Sequence, residues 1–97
     1  MIRVKLGEEI KKRGVWPYSV EGYTVEGRSR QPLLDACRQV KSLGADPQSQ
    51  IGLFWPGSDR PSLTCAVGVG ANLTVNETTT RFAQWQPFDR ARVRGDG

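Results

Sequence analysis

Leu33, Leu34, Cys37, Val40 and Leu43 recur at i, i+1, i+4, i+7 and i+10, one apolar stripe at helical period. Punctuation at both ends agrees with that period. Ser29 precedes Arg30-Gln31-Pro32, and proline in a first turn forfeits no hydrogen bond, because its N–H would have no intrahelical partner there. Asp35 lies early and Lys41 late, as the helix dipole favours. Gly44 supplies a left-handed residue after Leu43, and Pro47 prevents continuation. The pattern predicts a helix over 30–43, with Asp35, Arg38, Gln39 and Ser42 opposite the stripe. A lone amphipathic helix must bury its stripe against something else, and the remainder of the chain reads as sheet.

Ile2, Val4 and Leu6 alternate with Arg3 and Lys5, a strand at period two. Tyr18-Ser19-Val20 and Tyr23-Thr24-Val25 are β-prone triplets joined by Glu21-Gly22, a hairpin signal. Past the helix, Ile51, Leu53 and Trp55 share a side, and Pro56 to Pro61 is a loop by composition. Leu63, Cys65, Val67 and Val69 share one parity, and Gly68 and Gly70-Ala71-Asn72 would curve that strand into Leu73-Thr74-Val75. Arg81 to Trp85 reads as another short strand. The expectation is an α+β domain with one amphipathic helix packed on a mostly antiparallel sheet of about five strands, in the order β-β-α-β-β-β. A compact domain would cover 1–86, and 87–97 would form a basic, flexible tail.

The chain has 97 residues, 14 Lys and Arg against 10 Asp and Glu, two cysteines and no histidine. Without histidine no Ser-His-Asp or Cys-His arrangement and no His-containing zinc site exists, and two cysteines cannot complete a Cys₄ site. The reading is a protein that is not an enzyme, with no catalytic residue, no metal, no cofactor and no small-molecule substrate. No apolar run is long enough to span a bilayer, and the start alternates charge with apolar residues, so membrane and secretion are not expected. The expected location is the cytoplasm of a host cell. The net charge of +4 sits at the ends: Arg3, Lys5, Lys11, Lys12 and Arg13 near the start, Arg90, Arg92 and Arg94 near the finish. Solvated ends serve solubility; ends that meet in space would instead hold phosphate or an acidic surface.

Four residues are candidates for partner contact. Arg28 and Arg30 flank Ser29 at the predicted helix start, where guanidinium groups and unpaired N–H groups suit an anion, although two solvated arginines beside a capped helix explain them equally. Phe54 lies between Leu53 and Trp55 on the opposite strand face, so it either meets a second layer or is exposed. Arg60 stands in the Pro/Gly loop. Trp16, Trp55 and Trp85 lie near prolines and read either as plugs of a small core or as an interface rim. Cys37 on the helix stripe and Cys65 on the inward strand parity read as buried, inert thiols.

Gly27-Arg28-Ser29-Arg30-Gln31-Pro32-Leu33-Leu34-Asp35-Ala36-Cys37-Arg38 and Gly52-Leu53-Phe54-Trp55-Pro56-Gly57 resemble the texture of short orphan proteins of proteobacterial phages and mobile elements. The resemblance implies a small accessory protein, and by analogy of size and setting an anti-CRISPR-like inhibitor that blocks a nucleic-acid-handling host complex sterically. The expected partner is a host protein or ribonucleoprotein complex. The alternative is a nucleic-acid-binding domain that uses the basic termini and an exposed sheet face.

Overall fold

The computed structural model describes residues 1–8, 10, 15–29 and 31–74. Over these residues the fold is α+β: β1 (Ile2–Leu6), β2 (Tyr18–Val20), α1 (Pro32–Ser42), β3 (Gln50–Phe54), β4 (Leu63–Ala66) and α2 (Val67–Asn72). The sheet has four strands in the order β2-β1-β3-β4. It is mixed, not mostly antiparallel. β2 runs against β1 and β4 against β3, but the two central strands, β1 and β3, are parallel, with Val4 opposite Leu53. The physical reason is the return path: β2 and then α1 intervene before β3, and a helical crossover brings the chain back to start again from the same end.

Strand parity sorts the sheet into two faces. Val4, Leu6, Tyr18, Val20, Ile51 and Leu53 are buried against α1, where they meet Leu33, Ala36, Cys37 and Val40. Trp16 and Trp55 close this core edge-to-face, with ring centroids 5.1 Å apart and planes at 73°. Both indoles are buried, so for them the core reading holds; Trp85 lies outside the described residues.

α1 begins at Pro32, two residues later than the predicted 30, because Gln31 is the N-cap with φ −128° and ψ 66°. Ser29 does not cap the helix. Its Oγ accepts the Gln31 N–H (3.0 Å) in a turn just ahead of it. The C-terminus is the one that Gly44 announces. Gly44 takes φ +99°, its N–H donates to Lys41 O (3.1 Å), and the Ala45 N–H donates to Val40 O (2.9 Å), the paired bonds of a Schellman ending. Leu43 falls off the buried stripe and is 56% exposed.

The predicted second hairpin arm is not a regular strand. Tyr23 N–H donates to Val20 O (3.1 Å) around Glu21-Gly22, but only Gly22 has positive φ (+84°). A turn with positive φ at its second central residue alone does not match strand twist and splays the arms. Backbone pairing with β2 resumes farther on, where the Tyr18 N–H reaches Gly27 O (3.1 Å) and Trp16 bridges Ser29. Gly27 is obligatory there: a Cβ would overlap the Tyr18 carbonyl oxygen and lie 2.9 Å from its nitrogen.

The largest correction comes after β4. The strand stops at Ala66, and Val67-Gly68-Val69-Gly70-Ala71-Asn72 is a short helix instead of a curved strand. Two glycines cost it about 2 kcal/mol of helix propensity, so tertiary bonds and packing hold it. The Val67 N–H donates to Ser49 O (2.9 Å), the Gly68 N–H donates to Pro47 O (2.8 Å), and Gly70 is buried against Cys37 and Cys65. The strands expected beyond residue 74, the boundary at 86 and the basic tail at 87–97 lie outside the described residues.

Candidate functional site

With α1 and α2 on one side, the other face of the sheet carries Arg3, Lys5, Ser19, Gln50 and Thr64, all exposed. Alternation places them there: each sits between residues that turn inward. Arg3 and Lys5 therefore project in parallel from β1, with Gly52 and Phe54 of β3 as their partners across the parallel ladder.

Phe54 belongs to this face by parity, yet it is only 5% exposed. Neither alternative offered by the sequence describes it. Its cover is neither a second layer nor solvent but a cluster of side chains from its own surface. The Arg3 guanidinium carbon lies 5.5 Å from the ring centroid, a cation–π placement. Gly52 leaves the space beside the ring: a Cβ there would meet Met1 Sδ at 2.7 Å, Pro61 Cβ at 3.2 Å and Phe54 Cε1 at 3.4 Å. Arg3 also reaches Glu21 at 3.9 Å, an exposed and hence weak ion pair. Beside Lys5 and Ser19 the surface dips into an open depression of about 290 Å³, also lined by Leu6, Gly7, Pro17 and Tyr18. The site is a cationic rim around a covered aromatic ring.

Of the four residues singled out from sequence, the three that are described lie on different elements and are not brought together. Arg28 is exposed in the segment that pairs with the outer edge of β2, three strand positions from Phe54. Arg30 lies outside the described residues. Arg60 is exposed in the β3–β4 loop, whose first turn places Pro56 and Gly57 (φ +76°) at its centre and closes with the Ser58 N–H on Trp55 O (3.0 Å). The Ser58 hydroxyl donates to Arg60 O (3.1 Å) and fixes that arginine's backbone within the loop. Arg3 and Lys5 were legible only as part of a basic N-terminal segment. Their shared parity in Ile2–Leu6 was the signal that would have placed both on one face.

The predicted solvent face of the helix is largely in use. The Tyr18 hydroxyl donates to Asp35 Oδ2, and Gln39 Nε2 donates to Tyr18 Oη (2.8 Å) and to Asp35 Oδ2 (2.7 Å). Gln39 also pairs with the Glu26 backbone, accepting its N–H at 2.9 Å. Burial first, and then the Asp35 carboxylate, push the Tyr18 hydroxyl well above the ordinary tyrosine range. A phenol held so firmly neutral fastens β2 and the 23–29 segment to α1 and is poorly suited to proton transfer. Arg38 points elsewhere. Its guanidinium donates to Leu73 O (2.7 Å) and Ala71 O (3.3 Å), satisfying carbonyls at the end of α2.

No protein-family model, curated protein or solved structure matches this chain. The site is therefore read from its own geometry. Among the described residues no three His, Cys, Asp or Glu side chains gather as a metal set, and no helix is long and apolar enough to cross a membrane.

Proposed function

We propose that this chain is a non-enzymatic binding protein that lays the open face of its sheet on an acidic surface of a host protein or ribonucleoprotein complex and blocks it sterically, as the small inhibitors of phages and mobile elements do. The observation that carries the reading is the pair of exposed cations, Arg3 and Lys5, projecting side by side from a central strand whose other face is locked into the core. A strand buried on one side presents its outward side chains at fixed spacing, so the ordering cost on docking is small. Charge complementarity selects the acidic partner. Arg60, in the β3–β4 loop, and Arg28, beyond β2, would each contact only a partner that reaches past the Arg3–Lys5 pair.

The test is capture from host lysate by the tagged chain, compared with the Arg3→Glu/Lys5→Glu variant, whose fold is checked by circular dichroism. Stoichiometric recovery of one acidic complex by the native chain, lost at least about tenfold in the variant, supports the reading. Equal recovery by both removes the sheet face from it, and turnover of a small molecule by the purified polypeptide removes the reading altogether. The alternative, direct nucleic-acid binding, draws on the same two cations. Against it, Phe54 lies under Arg3 and its ring face is not available for base stacking. Oligonucleotide affinity with a salt slope that falls by about two on removing both cations would put this alternative in place of the first.

A further inference from the structure

On the opposite side of the sheet, the two cysteines the sequence presents as inert are neighbours. Cys37 Sγ and Cys65 Sγ lie 4.0 Å apart, one on α1 and the other on β4, with no disulfide between them. Gly70 of α2 is packed directly on the pair. A Cβ at that position would overlap Cys37 Sγ and lie 3.0 Å from Cys65 Sγ, so the missing side chain leaves the sulfurs their space. The two thiols differ in access: Cys37 is fully buried, while Cys65 is partly exposed.

We infer that Cys37 and Cys65 form a thiol–disulfide modification site, which a small-molecule disulfide of the glutathione class oxidises to an intramolecular bond. Access sets the order of events. The Cys65 thiolate attacks one sulfur of the reagent, the reagent's own S–S bond breaks, and the first glutathione leaves as a thiol carrying the proton that Cys65 gave up. Cys37 then attacks Cys65 Sγ, displaces the second glutathione and supplies its proton. Two electrons pass from the protein sulfurs to the reagent, so one disulfide is consumed and one is made. In the reduced protein the hydrogen bond to Cys65, and then burial, hold the Cys37 thiol well above its ordinary pKa. Capping Cys65 removes that bond, which readies Cys37 for the second step only after the first is complete. The product ties α1 to the end of β4.

The purified full chain, equilibrated in reduced and oxidised glutathione, tests this by intact mass, thiol titration and size exclusion. Expected are loss of both thiols together, a mass lower by two hydrogens, an unchanged monomer-or-oligomer state, and a melting temperature higher by roughly 10–20 °C for a closed loop of this length. Cys65→Ser should leave Cys37 unreactive towards the reagent, and Cys37→Ala should stop at a persistent single glutathione adduct on Cys65. Thiols that stay reduced at an oxidising poise, a persistent adduct on the native chain, or bonds between chains would each overturn the inference. The native-chain readouts decide the matter even if the Cys37 variant fails to fold.

Discussion

Leu53 and Phe54 are adjacent in β3 and equally apolar, yet they belong to different kinds of surface. Leu53 is sealed beneath α1 at 0% exposure among side chains from every inner strand. Phe54 reaches a similar burial, 5%, on the outer face, with an arginine over its ring. The inner face is held by elements that cannot move without unfolding the chain. The outer face is held by side chains that can move singly. Equal burial therefore does not mean equal contribution: stability is concentrated on one face, and the other is left to make contacts.

Four variants test whether the two faces differ in this way. Leu53→Ala opens a cavity that rigid neighbours cannot fill and should cost about 3–4 kcal/mol in chemical denaturation. Phe54→Ala should cost only about 2 kcal/mol, because surface side chains such as Arg3 can settle into the space. A cost equal to that of Leu53→Ala would make the outer face a second core and end the distinction.

Tyr18→Phe removes the hydroxyl shared by Asp35 and Gln39 and should cost about 1 kcal/mol. This variant also has a pH signature. The folded state raises the Tyr18 pKa, so above about pH 10 the unfolded chain loses a proton that the native one keeps, and stability falls as pH rises. Below that pH the tyrosine contributes no slope. Denaturation at pH 9 and pH 11 should lose part of its difference in Tyr18→Phe; an unchanged difference would mean that the hydroxyl is not held as described. Arg3→Glu/Lys5→Glu should change stability least, within about 0.5 kcal/mol, while abolishing capture of the partner. A large loss of stability would mean that Arg3 over Phe54 is structural and not available for contact.

The helix was legible in its stripe and its C-terminal stop because those signals are local, whereas its start came two residues later than the pattern predicted. The stripe from Leu33 to Val40, Pro32 near the start and Gly44 at φ +99° act within a few residues of themselves. The turn at Pro56-Gly57 and the alternation of Ile2–Leu6 are local in the same way. The parallel pairing of β1 with β3 was not legible as such. One hint was present, since the nearly unbroken apolar run from Ile51 to Trp55 suits a central strand covered on both faces better than simple alternation does. For α2 no local hint existed: Val67–Asn72 has the composition of a curved strand, and its helix depends on Ser49, Pro47, Cys37 and Cys65. The candidate site followed the same rule. Exposure of Arg28 and Arg60 could be anticipated, but the cover over Phe54 depends on Arg3, which is distant in the chain.

By itself the amino-acid order determined that one segment is helical and where it stops, which strand residues share a side, and which chemistries a chain without histidine must forgo, since each follows from neighbours in sequence or from composition. Tertiary structure alone decided that two strands run parallel, that a glycine-rich segment coils, that two thiols touch and that one aromatic ring lies beneath a guanidinium. Those outcomes are set by groups tens of residues apart, whose meeting depends on how the whole core closes and not on any short window of sequence alone.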